Sequence, residues 1–300
     1  MSFNNPLQPE TLYRIVCRPA LPKDTPEVLE LTSKIWEGED YVPHVWAEWL
    51  ADYQGLLAVA EYGGRVVGLS KLTYLDPESW WLEGLRVHPD YEGRRIASRL
   101  HDYLLEHWQK AGSGAIRLAT ISEREPVKHL AERTGFRKAL EVGSFIAESV
   151  PGEGSRYAPV VRGELDEALG IAAGGESLEL CAGLVKLDWR WAGLTHQHLA
   201  EAQARTGAWW WVQGGQRCGL LIGRENEHEG KRMLMVQMIA CSVGQLPACL
   251  RDCRTLAAGL GLELAAWFAP LHPLILEALK MAGFERDWDG SLCIFEKRQA

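Results

Sequence analysis

Hydrophobic and polar residues in the first half of the chain follow two different periods, and the stretch from Trp80 to Trp108 shows both. Trp80 to Val87 is an aromatic and β-branched run interrupted by the polar residues Glu83 and Arg86, which is typical of a strand. A His-Pro-Asp sequence ends that run. Beyond it, one apolar stripe has helical spacing; its members are Ile96, Leu100, Tyr103, Leu104 and Trp108. The pattern predicts a strand, a short loop and a long helix.

The same periodicity predicts the elements on either side of this stretch. On its N-terminal side they are a strand at 13–18, a helix from Asp24 or Thr25, a short helix that ends near Asp52, and two strands at 56–61 and 65–74 around a Gly-Gly turn. On its C-terminal side they are a strand at 115–121, a helix at 126–133 and a strand at 142–148. We therefore expect an antiparallel meander before the loop and a second group of strands after the long helix.

The pattern then repeats. Residues 150–156 combine a proline, two glycines and a serine, which is typical of a linker. Between 208 and 281 the order of strand, Gly-Gly turn, strand, strand, helix, strand and helix returns, which indicates a duplicated domain. We predict two tandem domains, 1–150 and 151–300, of the α+β (mixed α/β) class, each with a central, mostly antiparallel mixed sheet flanked by helices.

Composition narrows the classes of partner. The chain has 300 residues, of which 47% are hydrophobic and 24% charged, as in soluble globular proteins. A net charge of −8 argues against nucleic acid or an anionic membrane as partner. The seven cysteines lack metal-ligand spacing, so we expect reduced core thiols and no metal. Without a signal segment or a long apolar run, we expect a cytoplasmic protein.

The loop before the long helix has the chemistry of an anion site. It contains one glycine, Gly93, and two arginines, Arg94 and Arg95, at the helix N-terminus. Exposed backbone N–H groups, the positive end of the helix dipole and guanidinium groups all favour a phosphate at this position.

The sequence LEGLRVHPDYEGRRIASRL resembles motif A of the GNAT acetyltransferase superfamily, in which a strand leads into a pyrophosphate loop of the form Q/R-x-x-G-x-G/A. Ala97 fits the last position, whereas Glu92 replaces the usual Gln or Arg and Arg95 replaces the middle glycine. Glu92 brings a negative charge towards the pyrophosphate, and we expect that Arg95 cannot take a glycine-only backbone conformation. The resemblance implies acetyl-CoA as cosubstrate, bound by Leu85, Arg86, Val87, Glu92, Gly93, Arg94, Arg95, Ile96, Ala97 and Ser98.

Two further segments bear on this resemblance. HLAERTGF resembles GNAT motif B, but Ala131 occupies the position at which a general-acid tyrosine is common. In the second copy of the pattern, the phosphate loop is replaced by residues 241–248, which contain one glycine and no arginine. We therefore expect a degenerate GNAT-like second domain. Its Trp189 and Trp191 either line the substrate cleft or belong to the core, and its His196 and His198 are expected at the surface.

The segment from Ile35 to Leu50 is similar to that of histidine N-acetyltransferase-like members of the superfamily. The similarity suggests a small amine as acceptor, and an amino acid as the favoured one. Asp40, Tyr41 and Trp81 are the candidate substrate-binding residues. In the alternative interpretation the carboxylates form a solvated loop and the tryptophans of this segment form a core stripe.

Glu83 is the candidate general base, because a carboxylate part-way along an apolar strand faces a cleft or loses solvation without compensation. The alternative is a salt bridge to Arg86 or Lys71. Ser122 and Tyr91 are candidates to protonate the thiolate in place of the missing tyrosine, although a thiol of pKa about 8.5 can also leave unaided. His88 is a weaker candidate base, because this position is variable in the motif.

Three functional interpretations follow. The favoured one is an acetyl-CoA-dependent N-acetyltransferase acting on a small amine by direct attack in a ternary complex. The alternatives are a non-catalytic acyl-CoA-binding or regulatory protein, suggested by the altered loop, and an enzyme acting on a peptide or protein amine. A tandem copy can pair its sheets within one chain, so we expect a monomer, with a homodimer as the alternative.

Overall fold

The structure is a computed structural model that describes residues 15–111, 113–152 and 154–299. It divides into two units, one ending at Gly114 and including Gln299, the other running from Ala115 to Arg298. The predicted first strand begins at Tyr13 and Arg14, which lie outside the described residues.

Among its described residues, the first unit has four strands and three α-helices. The strands are β1 (Val16–Pro19), β2 (Leu56–Tyr62), β3 (Arg65–Asp76) and β4 (Ser79–Val87). The helices are α1 (Thr25–Thr32), α2 (Val42–Ala51) and α3 (Ile96–Ala111). The strands pair in chain order and all pairs are antiparallel. The predicted meander, loop and long helix are therefore confirmed.

The apolar stripes of the helices explain this layer arrangement. Val28 and Leu31 of α1, with Trp46 and Trp49 of α2, form a core with residues of β2 and β3. A Cβ atom on Gly68 of β3 would lie 2.9 Å from the Ile96 side chain and 3.1 Å from that of Leu100. Helix α3 therefore packs closely against the sheet at that glycine. The spacing of Val28, Leu31 and Ile35 in the sequence predicts that they share one helical face, but α1 ends at Thr32, so Ile35 lies beyond it.

The second unit contains eleven strands among the described residues. They are β5 (Ala115–Ile121), β6 (Arg137–Glu148), β7 (Tyr157–Pro159), β8 (Leu184–Leu187), β9 (Arg190–Gly193), β10 (Ala208–Gln213), β11 (Gln216–His228), β12 (Lys231–Ala240), β13 (Leu264–Pro270), β14 (Glu285–Arg286) and β15 (Leu292–Arg298). Its α-helices are α4 (Glu125–Arg133), α5 (Leu165–Ala173), α6 (Glu176–Glu179), α7 (His196–Ala204), α8 (Leu246–Gly259) and α9 (Pro273–Met281).

The strand order of this unit joins both predicted halves in one sheet. The order is β5-β15-β6-β13-β12-β11-β10-β7, with β14 also paired to β6 and with β8 and β9 forming a separate hairpin. The pair β12–β13 is parallel and its neighbouring pairs are antiparallel. The predicted boundary at residue 150 lies inside this unit, between β6 and β7, because β6 bonds to β13 and β15. That boundary stays a prediction about where the second copy of the pattern begins.

Three predictions about side chains in this unit have outcomes. The prediction that His198 lies at the surface is wrong: its side chain is buried, and Nδ1 lies 3.1 Å from the carbonyl oxygen of Gly193, because the first turn of α7 packs inward. Trp191 is buried, whereas Trp189 is 66% exposed. The cysteines of the described chain are free thiols. Within those described residues, no helix combines the length and apolarity that a membrane span requires.

Candidate functional site

A β-bulge in β4 decides which of its side chains share a face. Lys71 is opposite Glu83 and Leu69 is opposite Arg86, so two residues of β4, Gly84 and Leu85, face one residue of β3. Such a bulge shifts the alternation of side chains by one position. Glu83 and Arg86 therefore both project towards helices α1 and α2, although their spacing of three residues predicts opposite faces in a regular strand.

Glycine is required at the bulge. Gly84 has φ +65°, and a Cβ atom there would lie 2.5 Å from the ring of Trp49. The Trp49 ring packs over the bulge and contacts the Tyr41 ring edge to face, with 6.1 Å between centroids. The backbone of β4 and the aromatic residues of α2 thus fix each other.

Glu83 lies half-buried on this face. The Thr73 hydroxyl on β3 donates a hydrogen bond of 2.5 Å to Glu83 Oε1. The two cations proposed as its alternative partners are bound to other carboxylates: Arg86 pairs with Asp40 and Lys71 with Asp52. Glu83 therefore combines partial burial with an orienting hydroxyl, which suits a carboxylate that exchanges a proton.

Lys71 is fully buried beneath this carboxylate. Its ammonium group donates to Asp52 at the end of α2 and to the carbonyl oxygen of Leu72, at 2.9 Å in the second case. Burial is the largest influence on the pKa of Asp52 and acts to raise it. The hydrogen bond and charge of Lys71, together with hydrogen bonds from the Gly55 and Gln54 N–H groups, outweigh burial, and the pKa is lowered. The pair anchors β3 to the end of α2.

Arg86 and Asp40 form a buried, two-pronged ion pair. Arg86 Nε donates to Asp40 Oδ2 at 2.8 Å, and Nη2 donates to Oδ1 at 3.0 Å. The Asp40 side chain is fully buried, so it is bound to Arg86 rather than displayed as a free carboxylate. Two rings cover the guanidinium group, that of Trp36 at 4.3 Å and that of Tyr41 at 5.2 Å. Because Trp36 is 44% and Tyr41 40% exposed, the pair holds an aromatic rim open to solvent.

The rim begins in a strained turn. Trp36 and Glu37 have φ of +47° and +57°, and Gly38 follows with φ +95°. A left-handed conformation costs a non-glycine residue about 1–2 kcal/mol, and such strain concentrates at functional sites. The buried Arg86–Asp40 pair and the ring of Trp36 stabilise this turn.

The predicted phosphate loop is exposed from Glu92 to Arg95. Gly93 has φ +74°, and no heavy atom lies within 4 Å of the position a Cβ would take, which leaves room for a ligand against the main chain. The expectation that Arg95 avoids a glycine-like conformation is wrong: Arg95 has φ +61°. The left-handed region is costly but open to residues other than glycine, and Arg95 uses it to direct the chain into α3.

Aromatic residues support this loop. Arg94 Nη1 donates to the Tyr62 hydroxyl at 3.3 Å, and its guanidinium lies 5.4 Å and 5.5 Å from the ring centres of Tyr62 and Tyr91. Tyr91 also contacts the ring of His88 at 5.4 Å. His88 is buried, with Nε2 2.9 Å from Lys34 Nζ and Nδ1 accepting from the Asp90 N–H group. Both ring nitrogens of His88 are therefore engaged, and Tyr91 is part of the loop support.

The remaining predicted residues lie as follows. Leu85 and Val87 are half-buried on β4, and Trp81 is buried on the same strand. Ser122 follows β5 in the second unit, where its N–H donates to the carbonyl oxygen of Ser291 at 2.9 Å. Ala131 is buried in α4. The roles assigned to these residues stay predictions.

Sequence reasoning missed Thr73 and the Trp36 ring. A glycine within an aromatic strand was a signal for the bulge, but no local signal pairs Thr73 with Glu83 or places Trp36 over Arg86. Among the described residues, no group of three or more His, Cys, Asp or Glu side chains is arranged to hold a metal ion.

Comparison with known proteins identifies the family to which the residues of this site belong. Residues 25–136 match the sequence model of the Acetyltransferase (GNAT) family. This segment is therefore a GNAT acetyltransferase domain, and the resemblance seen in the sequence is confirmed.

The curated relatives have names that specify a reaction more narrowly than the family name does. The chain is 31% identical over 108 residues to a histidine N-acetyltransferase of Oreochromis niloticus, a match that covers 35% of this chain and 32% of the relative. The chain thus spans about a third of the length of that curated relative.

Solved structures resemble nearly the whole chain. A GCN5-related N-acetyltransferase from Sphaerobacter thermophilus matches with a TM-score of 0.62 at 14% identity, over 95% of each chain. A tandem GNAT protein from the clavulanic acid biosynthesis pathway matches with a TM-score of 0.55, over 95% of this chain and 98% of its own. At such identity the likeness shows the fold alone. It confirms the predicted α+β class, with mixed sheets flanked by helices.

Proposed function

We propose that this chain is an acetyl-CoA-dependent N-acetyltransferase that acetylates a small amine, with an amino-acid α-amino group as the favoured acceptor. One observation carries the proposal. An exposed loop at the N-terminus of α3 and a half-buried carboxylate, Glu83, lie on consecutive elements of the same unit, within the matched GNAT segment.

The loop residues have the properties that a pyrophosphate requires. The first N–H groups of a helix have no acceptor within the helix, and they point outwards from its N-terminal end. Helix α3 presents such groups at its start, Ile96. Arg94 and Arg95 add positive charge beside them, and Gly93 lets a phosphate oxygen approach the main chain. Main-chain groups of Leu85 and Val87 are assigned to the pantetheine arm, as the family resemblance implies.

Acetyl-CoA supplies the acetyl thioester, and residues of the chain accept and donate the protons. Glu83 accepts the proton of the acceptor ammonium group. The Thr73 hydroxyl donates a hydrogen bond to Glu83 Oε1 and so keeps the carboxylate in its orientation. The neutral amine then attacks the thioester carbonyl carbon directly: the C–N bond forms, the C–S bond breaks, and the nitrogen loses one proton to give the amide. Tyr91 and Ser122 are the candidates to protonate the departing thiolate, which is also stable enough to leave without help because thiols have a pKa of about 8.5.

The acceptor class rests on the rim and on the relatives. Trp36 and Tyr41 are partly exposed and surround Arg86, which projects to the same side of β4 as Glu83. Exposed aromatic faces attract cationic amines. Three curated relatives of this chain are named histidine N-acetyltransferases, which supports an amino-acid acceptor. Asp40 contributes by holding Arg86, and hence the rim, in position.

A second candidate function, acyl-CoA binding without turnover, is favoured by two observations. Glu92 places a carboxylate in the loop, and Ala131 removes the common general-acid hydroxyl. Acetylation of a peptide amine is a third candidate. The state of assembly, monomer or homodimer, belongs to the same set of proposals.

Calorimetric titration of acetyl-CoA tests the loop. The variant Gly93→Trp fills the space against the main chain, so we expect binding to weaken at least about tenfold, the loss of one or more phosphate hydrogen bonds. Gly230→Trp is the matched control, because Gly230 has φ +79° and equally open surroundings on the turn between β11 and β12. Equal binding by the two variants would mean that the loop does not bind acetyl-CoA.

A free-thiol release assay against a panel of amines, including histidine and other amino acids, then separates the candidates. Release of CoA with one class of amine supports the transferase and defines the acceptor. Binding without release supports the acyl-CoA-binding alternative. Release with peptides but not with free amino acids would replace the small-amine acceptor.

A further inference from the structure

Lys186 on strand β8 is a buried cation surrounded by aromatic rings. Its residue is 6% exposed, and its Nζ lies 5.1 Å from the ring centre of Phe268, 5.2 Å from that of Trp189 and 5.9 Å from that of Trp191. Across residues 15–111, 113–152 and 154–299, no hydrogen bond or ion pair joins this ammonium group to a protein acceptor. The rings attract the charge, but they offer no oxygen or nitrogen acceptor to the three N–H donors of the ammonium group.

The neighbouring charges do not supply a counter-ion. Asp188, two residues along the hairpin, pairs with Arg224 on β11. Gln237 on β12 is also buried, and its side-chain N–H donates to the main-chain oxygen of Lys186 at 2.7 Å. Burial lowers the pKa of Lys186 to about 8, with Asp188 opposing and Arg224 adding to the effect. A buried ammonium group without an acceptor is unfavourable, so the position favours a ligand that brings one.

The walls around Nζ are apolar. Phe268 packs with a cluster formed by Met233, Met235, Leu264 and Ala266. The Trp189 ring contacts Phe268 edge to face, with 5.5 Å between centroids, and the Trp191 ring does so at 6.3 Å. These surfaces suit a flat, apolar body and are poorly suited to a hydrophilic group such as phosphate.

The hairpin turn next to Lys186 is exposed. Trp189 is 66% exposed although its ring covers Lys186. The polar side-chain atoms that are both fully enclosed and without a partner in the described chain are Asp76 Oδ2, Trp80 Nε1 and Trp108 Nε1. Lys186 Nζ is not among them, so the ammonium group is not fully enclosed.

We propose that Lys186, Trp189, Trp191 and Phe268 form a binding site for a small aromatic carboxylate. The carboxylate accepts hydrogen bonds from Nζ and neutralises its charge, and the aromatic body packs against the three rings. An amine or a metal cation is repelled by Lys186 and Arg224. This site, the Lys186 aromatic site, is formed by residues of the second unit alone.

Benzoate tests the site, with benzyl alcohol as the neutral probe of the same size. Binding to the full chain is followed by tryptophan fluorescence and by calorimetry at constant ionic strength. We expect benzoate to bind at least about tenfold more tightly than benzyl alcohol, the usual gain from one charge-assisted hydrogen bond. Lys186→Met should abolish that preference, whereas Lys280→Met, which removes an exposed lysine of α9, should retain it.

A second variant covers the case in which Lys186→Met does not fold. Trp189→Ala removes a ring that is mostly exposed, so the fold should persist while benzoate affinity falls several-fold. Failure of benzoate to bind at millimolar concentration, or equal binding by wild type, Lys186→Met and Trp189→Ala, would overturn the proposal.

Discussion

Two strand–loop–helix segments of this chain begin their helices in opposite ways. Between β4 and α3, the residues from Glu92 to Arg95 are exposed, and Gly93 faces open space. Between β12 and α8, the Val243 N–H group donates to Glu176 at 2.8 Å, and the Cys241 N–H group donates to Ser177 Oγ at 2.9 Å. The loop before α3 is therefore open to a ligand. The loop before α8 is held by side chains of its own unit, and we call these the open and the closed helix start.

The comparison shows what makes a helix N-terminus a ligand site. Both helices offer N–H groups and a dipole, but in the second segment the carboxylate of Glu176 already accepts from the loop N–H group of Val243. The first segment adds two guanidinium groups and a glycine and leaves the acceptor to be supplied. The strands differ too, since β4 carries Glu83 whereas β12 contains no acidic residue. The proposed chemistry therefore belongs to the first segment.

The largest effect is expected from removing the carboxylate that distinguishes β4 from β12. Glu83→Gln keeps the shape and the hydrogen bond from Thr73 but cannot accept a proton. We expect kcat of acetyl transfer to fall about 10²- to 10⁴-fold, with no change in the calorimetric Kd for acetyl-CoA. Glu78→Gln, in the turn before β4, is the matched control. A kcat within about twofold of wild type would assign the base to another group.

The elements of the first unit could be predicted from periodicity because each is a local pattern. The run at β4 and the apolar stripe of α3 decide their own conformation. The site could be predicted only in part. Glu83 stood out as a carboxylate in an apolar strand, whereas the bulge at Gly84 depends on packing against Trp49, which is distant in sequence.

Other features escaped prediction because they are non-local. The Arg86–Asp40 pair joins residues 46 apart, and each residue alone fitted a different role in the sequence. Strand β15 lies between β5 and β6, a position that no sequence period encodes. Lys186 is an ordinary lysine in sequence, and the hairpin of β8 and β9 places it among rings that come from two strands and a turn.

A smaller effect should sharpen the contrast between the loops themselves. Arg95 has φ +61°, whereas residues 241–248, all described, have no positive φ. Arg95→Gly removes the left-handed strain and the charge, and Arg95→Ala removes the charge alone. We expect the glycine variant to exceed the alanine variant in free energy of unfolding by about 1 kcal/mol, measured by urea denaturation. Equal values would mean that the loop relaxes without its side chain.

Both Arg95 variants should also lose acetyl-CoA affinity to the same extent. The expected loss is a few-fold at low salt and shrinks as ionic strength rises, because an exposed guanidinium acts mainly through its charge. A larger loss in the glycine variant would show that the fixed direction of the loop, rather than its charge, carries the affinity.

The smallest effect is expected from opening the closed helix start. Glu176→Gln weakens the hydrogen bond from Val243 N–H at an exposed position, so we expect the free energy of unfolding to fall by no more than about 1 kcal/mol. Glu179→Gln, also exposed on α6, should leave it unchanged. Calorimetry should still find one acetyl-CoA per chain, because the second segment lacks the arginines as well as an open loop. A second equivalent bound by Glu176→Gln would mean that this one carboxylate is what separates the two segments.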